Sequence, residues 1–276
     1  MADISAAKVK AFRERTGLPL MECKSALAEA GGDEDKAVAI LRERGEKLEE
    51  KRGSRETAFG RFGLYCGLDK STGAIVELKC ESAPVTQNDQ FICLCNDLAE
   101  GLAKSSGDVK TADELLALAS PSKPGMTLGE QKAELFKRIR ENFEVGRMCK
   151  LDGCCGGYSH NLGTVAGVLV QIEGGTDEAA KDVSMHIAMR PAALSKEDLD
   201  KAVVDQEREF LRSAALKEGK PANIVDKMVE GRLQQFIAEK ALLAQPFVKD
   251  DKQSVGDFAK SKGMTIHKFV LYILGQ

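Results

Sequence analysis

Cys149, Cys154, Cys155 and His160 lie within twelve residues of one another, and thiolates with an imidazole are the donors that a tetrahedral zinc site takes. Gaps of four, zero and four residues do not form the two close pairs from which such sites are usually built. Small buried thiols near a strand end are therefore expected instead. The same residue types would serve a nucleophilic enzyme, in which an imidazole draws the proton from a thiol. The three histidines, His160, His186 and His267, are expected at a strand edge, on a helix and in a terminal strand, with nothing beside them that marks a base or an oxyanion site. Cys93 and Cys95 stand two apart on an expected helix and so point to different sides. A phosphate-binding G-x-x-x-x-G-K-S/T loop is absent, which excludes a GTPase of that design. The expectation is a protein with no catalytic residue, no metal and no cofactor, acting by binding.

Bulk properties point the same way. The chain of 276 residues is 43 % hydrophobic and 30 % charged, the balance of a globular protein. A formal charge of −3 supplies no basic face for a phosphate backbone, so direct nucleic-acid binding is not expected. No apolar run reaches the roughly 18 residues of a membrane span, and Met1 opens a polar, amphipathic stretch in place of an export signal. A cytoplasmic protein without a membrane partner is expected, its eight irregularly spaced cysteines reduced.

The elements that would carry a binding surface follow from periodicity. Residues 1–45 read as a module of three short helices, with stripes at Ile4, Ala7, Ala11 and Phe12, at Cys23, Ala26, Leu27 and Ala30, and at Ala37, Ile40 and Leu41. Gly17 with Pro19 separates the first two helices, and Gly31-Gly32-Asp33 ends the second and caps the third. The charged stretch Gly45–Ser54 reads as a solvated linker, taken as 46–57, that leaves the module tethered and mobile. Leu20 and Met21, apolar residues at a helix start, would by type alone be core, and Arg13 a solvated charge.

Alternation then takes over. Phe62, Leu64, Cys66 and Leu68 face one way, a DKSTG turn follows, and Ala74, Val76, Leu78 and Cys80 alternate again, which makes a hairpin. A helix through Phe91, Leu94, Leu98 and Leu102, a capping box at Thr127-x-x-Glu130 and a strand within Phe143–Leu151 complete a first unit, 58–152. A second, 153–276, is expected from a strand at Thr164–Ile172, a helix at Asp177–Met189 capped by Thr176 and a strand at Thr265–Leu274. Inserted in it at about 195–246, one stripe of Leu199, Val203, Phe210, Leu211 and Ala214 and another of Val225, Met228, Val229, Leu233, Phe236 and Ile237 flank a Gly219-Lys220-Pro221 break. That pattern is an antiparallel helical hairpin. The fold class is α+β: a helical module, two small α+β subdomains with antiparallel sheets, and the inserted hairpin.

Several stretches resemble the elongation factor Ts family: VKAFRERTGLPLMECKSALAEAGGDEDKAVAILRERG (Val9–Gly45), YSH through GVLV (Tyr158–Val170), SMHIAM (Ser184–Met189), GKPANIVDKMVEGRL (Gly219–Leu233) and QPFV (Gln245–Val248). They occur in the family's order over essentially the whole chain. The resemblance implies a UBA-like amino-terminal module and a guanine nucleotide exchange factor whose partner is the GTPase elongation factor Tu, with assembly into a dimer of heterodimers allowed. It places Arg13, Leu20 and Met21 on the partner's nucleotide domain and His160 among the core contacts. The extra carboxy-terminal helix of some members is expected to be missing, because the sequence stops at Gln276 just after the expected last strand.

One departure stands out. Where the family carries Thr-Asp-Phe-Val after the first hairpin, with Asp and Phe pressing on the partner's magnesium site, this chain has Ser82-Ala83-Pro84-Val85. Carboxylate and aromatic wedge are both absent. Pro84 suits the first turn of a helix, so the backbone is expected to persist and to act by intrusion with the bulk of Pro84 and Val85. The alternative is a scaffold that binds Tu and has lost exchange.

Overall fold

The computed structural model describes residues 5–53, 55–190, 193–217 and 222–276. Ile4, Ser54 and the Gly219-Lys220-Pro221 break thus lie outside the described residues. The chain divides into two compact units, Met1–Gly63 with Val76–Met148, and Leu64–Ile75 with Cys149–Leu274.

The first unit opens with α1 (Ala6–Thr16), α2 (Leu20–Glu29) and α3 (Glu34–Arg52), which close around Phe12, Cys23, Ala26, Leu27, Ala37 and Leu41. Gly17 ends α1 in the left-handed conformation, φ 68°, and the Asp33 carboxylate accepts the N–H groups of Asp35 and Lys36 at the start of α3. The buried face of α1 is Val9 with Phe12, and Ala7 and Ala11 of the expected stripe are exposed. Burial follows the larger apolar surface, and a methyl group offers little. Helix α3 continues to Arg52, through most of the stretch expected as a linker, because Glu, Lys, Leu and Arg are strong helix formers however polar they are.

Then come β1 (Phe59–Tyr65), β2 (Thr72–Cys80), α4 (Asp89–Lys104), α5 (Ala112–Leu116), α6 (Leu128–Ile139) and β3 (Phe143–Asp152), the strands in sheet order β1-β2-β3. Phe91, Leu94, Leu98 and Leu102 of α4 are buried, with the Phe91 ring 5.6 Å from that of Phe143. Gly63 lets this helix rest on β1: a Cβ there would stand 1.9 Å from the Cys95 carbonyl oxygen. The Thr127–Glu130 capping box forms, and a second one, Thr111 with Glu114, opens α5.

In the second unit, β4 (Cys155–His160) and β5 (Ala166–Gly174) precede α7 (Asp177–Met189), α8 (Lys201–Lys217), α9 (Ala222–Lys240), β6 (Pro246–Phe247), β7 (Asp250–Ser254), α10 (Val255–Ser261) and β8 (Met264–Ile273). The antiparallel sheet has order β4-β5-β8. Val168, Val170 and Ile172 pack with Ala180, Val183 and Ile187 of α7 and Val255 and Phe258 of α10. Thr176 caps α7 as expected. Cys66 and Leu68 were expected to continue the first hairpin's alternation, but β1 ends at Tyr65. Beyond it the Gly67 N–H donates to the Cys155 carbonyl at 2.8 Å and the Leu68 N–H to Asp177 at 3.0 Å, so these backbone groups find partners elsewhere.

The helical hairpin forms, and Leu199 and Leu211 of the expected stripe lie in its seam, where Val204 takes the place expected of Val203. Val204 and Leu211 pack with Leu233, Ile237 and Ala241, and Ala215 with Val225 and Val229, while Val203 and Phe210 are 48 % and 67 % exposed. Two heptad stripes lie side by side on α8, and spacing alone does not say which faces α9. At the hairpin's base the buried His186 holds α7 to the segment after α9. Its Nδ1 accepts the Val248 N–H at 3.1 Å, so Nε2 carries the proton and donates to Gln245 Oε1 at 2.7 Å. Ser184–Met189 and Gln245–Val248 therefore meet through one imidazole.

Two sets of measurements check this packing. Gly63→Ala should cost about 3 kcal/mol or more in chemical denaturation. Gly231→Ala on α9, where nothing stands within 4 Å of the added methyl, should instead stabilise by about 0.5–1 kcal/mol. Burial, ahead of the bond to Gln245 that opposes it, lowers the His186 pKa. The neutral ring's contribution is then complete above the unfolded value of about 6.5 and lost as pH falls through the depressed folded value. Urea titrations between about pH 7 and pH 5 should show stability falling in the native chain and a shallower dependence in His186→Gln.

Candidate functional site

Beyond β2 the chain makes one turn of 3₁₀ helix over Ala83–Gln87, with Ser82 extended before it and Pro84 in its first turn. Proline fits there because its missing N–H has no partner in a first turn anyway. Thr86 Oγ1 donates to the Ala83 carbonyl at 2.7 Å, and Arg61 donates to the Thr86 carbonyl at 3.0 Å. Ala83 and Pro84 are exposed, whereas Val85 is folded inward at 8 % exposure. The bulk expected of Val85 belongs to the interior of the unit, and Ala83 with Pro84 forms the presented pair.

Two carboxylates hold this turn. Glu141, just before β3, accepts the Ser82 N–H at 3.0 Å and the Ser82 hydroxyl at 2.5 Å. Glu81 in return accepts the Asn142 N–H at 2.6 Å and an Arg55 guanidinium at 3.2 Å. Bonds to an ionised acceptor are stronger than neutral ones, so the entry to the turn is fixed on both sides. Beneath it Cys80 Sγ donates to the Ser82 carbonyl at 3.3 Å. Burial, with the Glu141 charge adding to it, pushes that thiol up to about 12, and it stays a donor.

The other expected contact residues of the first unit are all on the module's outside. Arg13 is exposed on α1, and Leu20 and Met21, in the first turn of α2, are 46 % and 70 % exposed. Residue type alone made the latter two core, but α2 turns Cys23, Ala26 and Leu27 inward. His160 stands in the second unit, half-buried at the end of β4, with Nδ1 3.0 Å from the Tyr158 hydroxyl. Just past it Leu162 is 77 % exposed. Sequence reading passed over Leu162, whose signal is an apolar residue beside Gly163 in a tight loop.

The cysteines do not converge. Cys154 Sγ donates to the Leu68 carbonyl at 3.2 Å and Cys149 Sγ to that of Lys150 at 3.7 Å, and all eight thiols are free. Among the described residues no group of three or more His, Cys, Asp or Glu side chains is placed to hold a metal ion, and no described helix is long and apolar enough to cross a membrane. The first unit thus presents an exposed turn at Ala83–Pro84 and an exposed apolar pair at Leu20–Met21. Ser82→Ala removes the shortest bond of the turn's entry while leaving its N–H in place. It should cost about 2 kcal/mol in urea denaturation and speed amide exchange at residues 83–87.

Comparison with known proteins gives the family. The sequence profile described as Elongation factor TS matches residues 81–276. Elongation factor Ts of Methylococcus capsulatus is 40% identical, the match covering 99% of this chain and 92% of the relative. That of Bordetella petrii is 41% identical over 100% and 93%, and that of a Hydrogenobaculum species 37% identical over 99% of each. On the profile match and on this identity over nearly the full chain, the protein belongs to the elongation factor Ts family.

Proposed function

We propose that this chain drives GDP from elongation factor Tu by a rigid turn and a separate grip, without the side-chain wedge of its relatives. Guanine nucleotide exchange on Tu is the function of the family, and it requires no bond making. A protein that binds the emptied conformation of a GTPase more tightly than the loaded one lowers that GTPase's affinity for nucleotide by the same factor. The coupling must come from contacts made only after the phosphate loop and the magnesium-facing helices have moved.

Three surfaces share the task. Arg13, Leu20 and Met21 grip the nucleotide domain, exposed apolar side chains and an arginine being residue types that interfaces use. The Ser82–Val85 turn presses beside the magnesium site, Ala83 and Pro84 making contact while Val85 and Ser82 anchor them. His160 completes the core contacts from the second unit. The observation that carries this is the turn: two carboxylates stiffen a backbone that has no wedge to offer, so the intruding element is the backbone itself. The working setting is the cytoplasm, with one factor per Tu, alone or as a dimer of heterodimers.

Release of a fluorescent GDP analogue from Tu tests the turn's role. Pro84→Gly should lower the maximal release rate about tenfold with little change in half-saturating factor concentration. Ala83→Asp with Pro84→Phe should bring no acceleration. A large acceleration in the latter would make the turn a degraded wedge, and a native chain that releases no GDP would make it a scaffold.

A further inference from the structure

Three successive residues, Arg140, Glu141 and Asn142, tie together the two surfaces assigned to Tu in the first unit. Glu141 holds Ser82 at the turn, as described. The Asn142 side-chain amide donates to the carbonyls of Gly53 at 3.2 Å and Arg55 at 3.1 Å, where the chain leaves α3. Arg140 reaches the module itself: its guanidinium pairs with the carboxylate of Glu22 in the first turn of α2, the residue next to Met21. The Arg140 side chain is largely covered, at 18 % exposure, whereas that of Glu22 is 37 % exposed.

The backbone makes the pair more telling. Arg140 caps α6 in the left-handed conformation, φ 65° and ψ 28°, and its N–H donates to the Phe136 carbonyl. It is the one non-glycine residue with positive φ among the described residues. Glycine is the usual occupant of such a cap, and an arginine there keeps a strained conformation for what its side chain reaches. Its neighbours on α6 lie over the module too. A Cβ at Gly45 would meet Lys137 Cε at 3.1 Å, and one at Gly17 would stand 3.5 Å from Arg138 Nε. Each module helix, or its cap, is thus approached by a basic side chain of the last turn and cap of α6.

We infer that Arg140 is a positioning residue for exchange: through Glu22 it holds Leu20 and Met21 at a fixed place relative to the Ala83–Pro84 turn, so that one encounter engages both. The inference rests on the function proposed above. A grip already oriented spares the ordering cost that a freely swinging module would incur on every binding event. Arg140 touches neither nucleotide nor partner in this scheme, and it acts on the grip through Glu22.

Kinetics of GDP release at varied concentrations of the full-length chain separate this role from a structural one. Arg140→Gly removes the pair and relieves the strained cap, so its melting temperature should equal or exceed that of the native chain. Half-saturation should nevertheless move about tenfold higher, with the maximal rate within about twofold. Glu22→Gln should give the same shift, and Glu22→Arg combined with Arg140→Glu should recover part of it. In a Leu20→Ala, Met21→Ala background Arg140→Gly should add nothing, because there is no grip left to orient. Native half-saturation in Arg140→Gly and Glu22→Gln, or full multiplication of their effect with that of the Leu20 and Met21 changes, would overturn the inference. A native chain that releases no GDP would instead overturn the function on which it rests.

Discussion

The crossed hydrogen bonds of Glu81 and Glu141 are the constraint on which the Ser82–Val85 turn depends, because each carboxylate accepts the backbone N–H of the residue that follows the other. The end of β2 and the start of β3 are thereby locked at one point. The 3₁₀ turn leaves that point with a proline in its first turn and an inward valine behind it. In the proposed mechanism the stiffness of this turn does the work of the Asp and Phe that the family resemblance leads one to expect, since an element that cannot yield passes strain to the partner that meets it.

Much of this fold was legible in the sequence because its helix boundaries carry their own chemistry. Thr176 before α7, Thr127 with Glu130 before α6 and Asp33 before α3 each place an acceptor where orphan N–H groups need one. The same signature at Thr111 and Glu114 went unread only because α5 is a single short turn without a visible apolar period. Polarity misled at α3, whose charged end is helical because propensity and exposure are separate properties. On α8 the stripe of Val203 and Phe210 rivals that of Val204 and Leu211, and only the position of α9 decides between them.

The candidate site was legible in a different way. Motif order singled out Ser82–Val85, Leu20, Met21 and His160 as candidates, but not what holds them. Glu141 lies 59 residues from Ser82 along the chain, and Arg140 lies 118 from Glu22. No local pattern relates such pairs, so two of the main supports of the surface were invisible until the backbone brought them together. Val85 shows the converse. Its place in the motif marked it for contact, while its burial makes it an anchor.

Exchange by linkage has one thermodynamic requirement, and a pair of titrations addresses it: the chain added to nucleotide-free Tu and, separately, to Tu saturated with GDP. Binding to the emptied form should be tighter by on the order of a hundredfold. Equal affinity for both forms would contradict the mechanism, because a ligand that does not discriminate between two states cannot shift the balance between them.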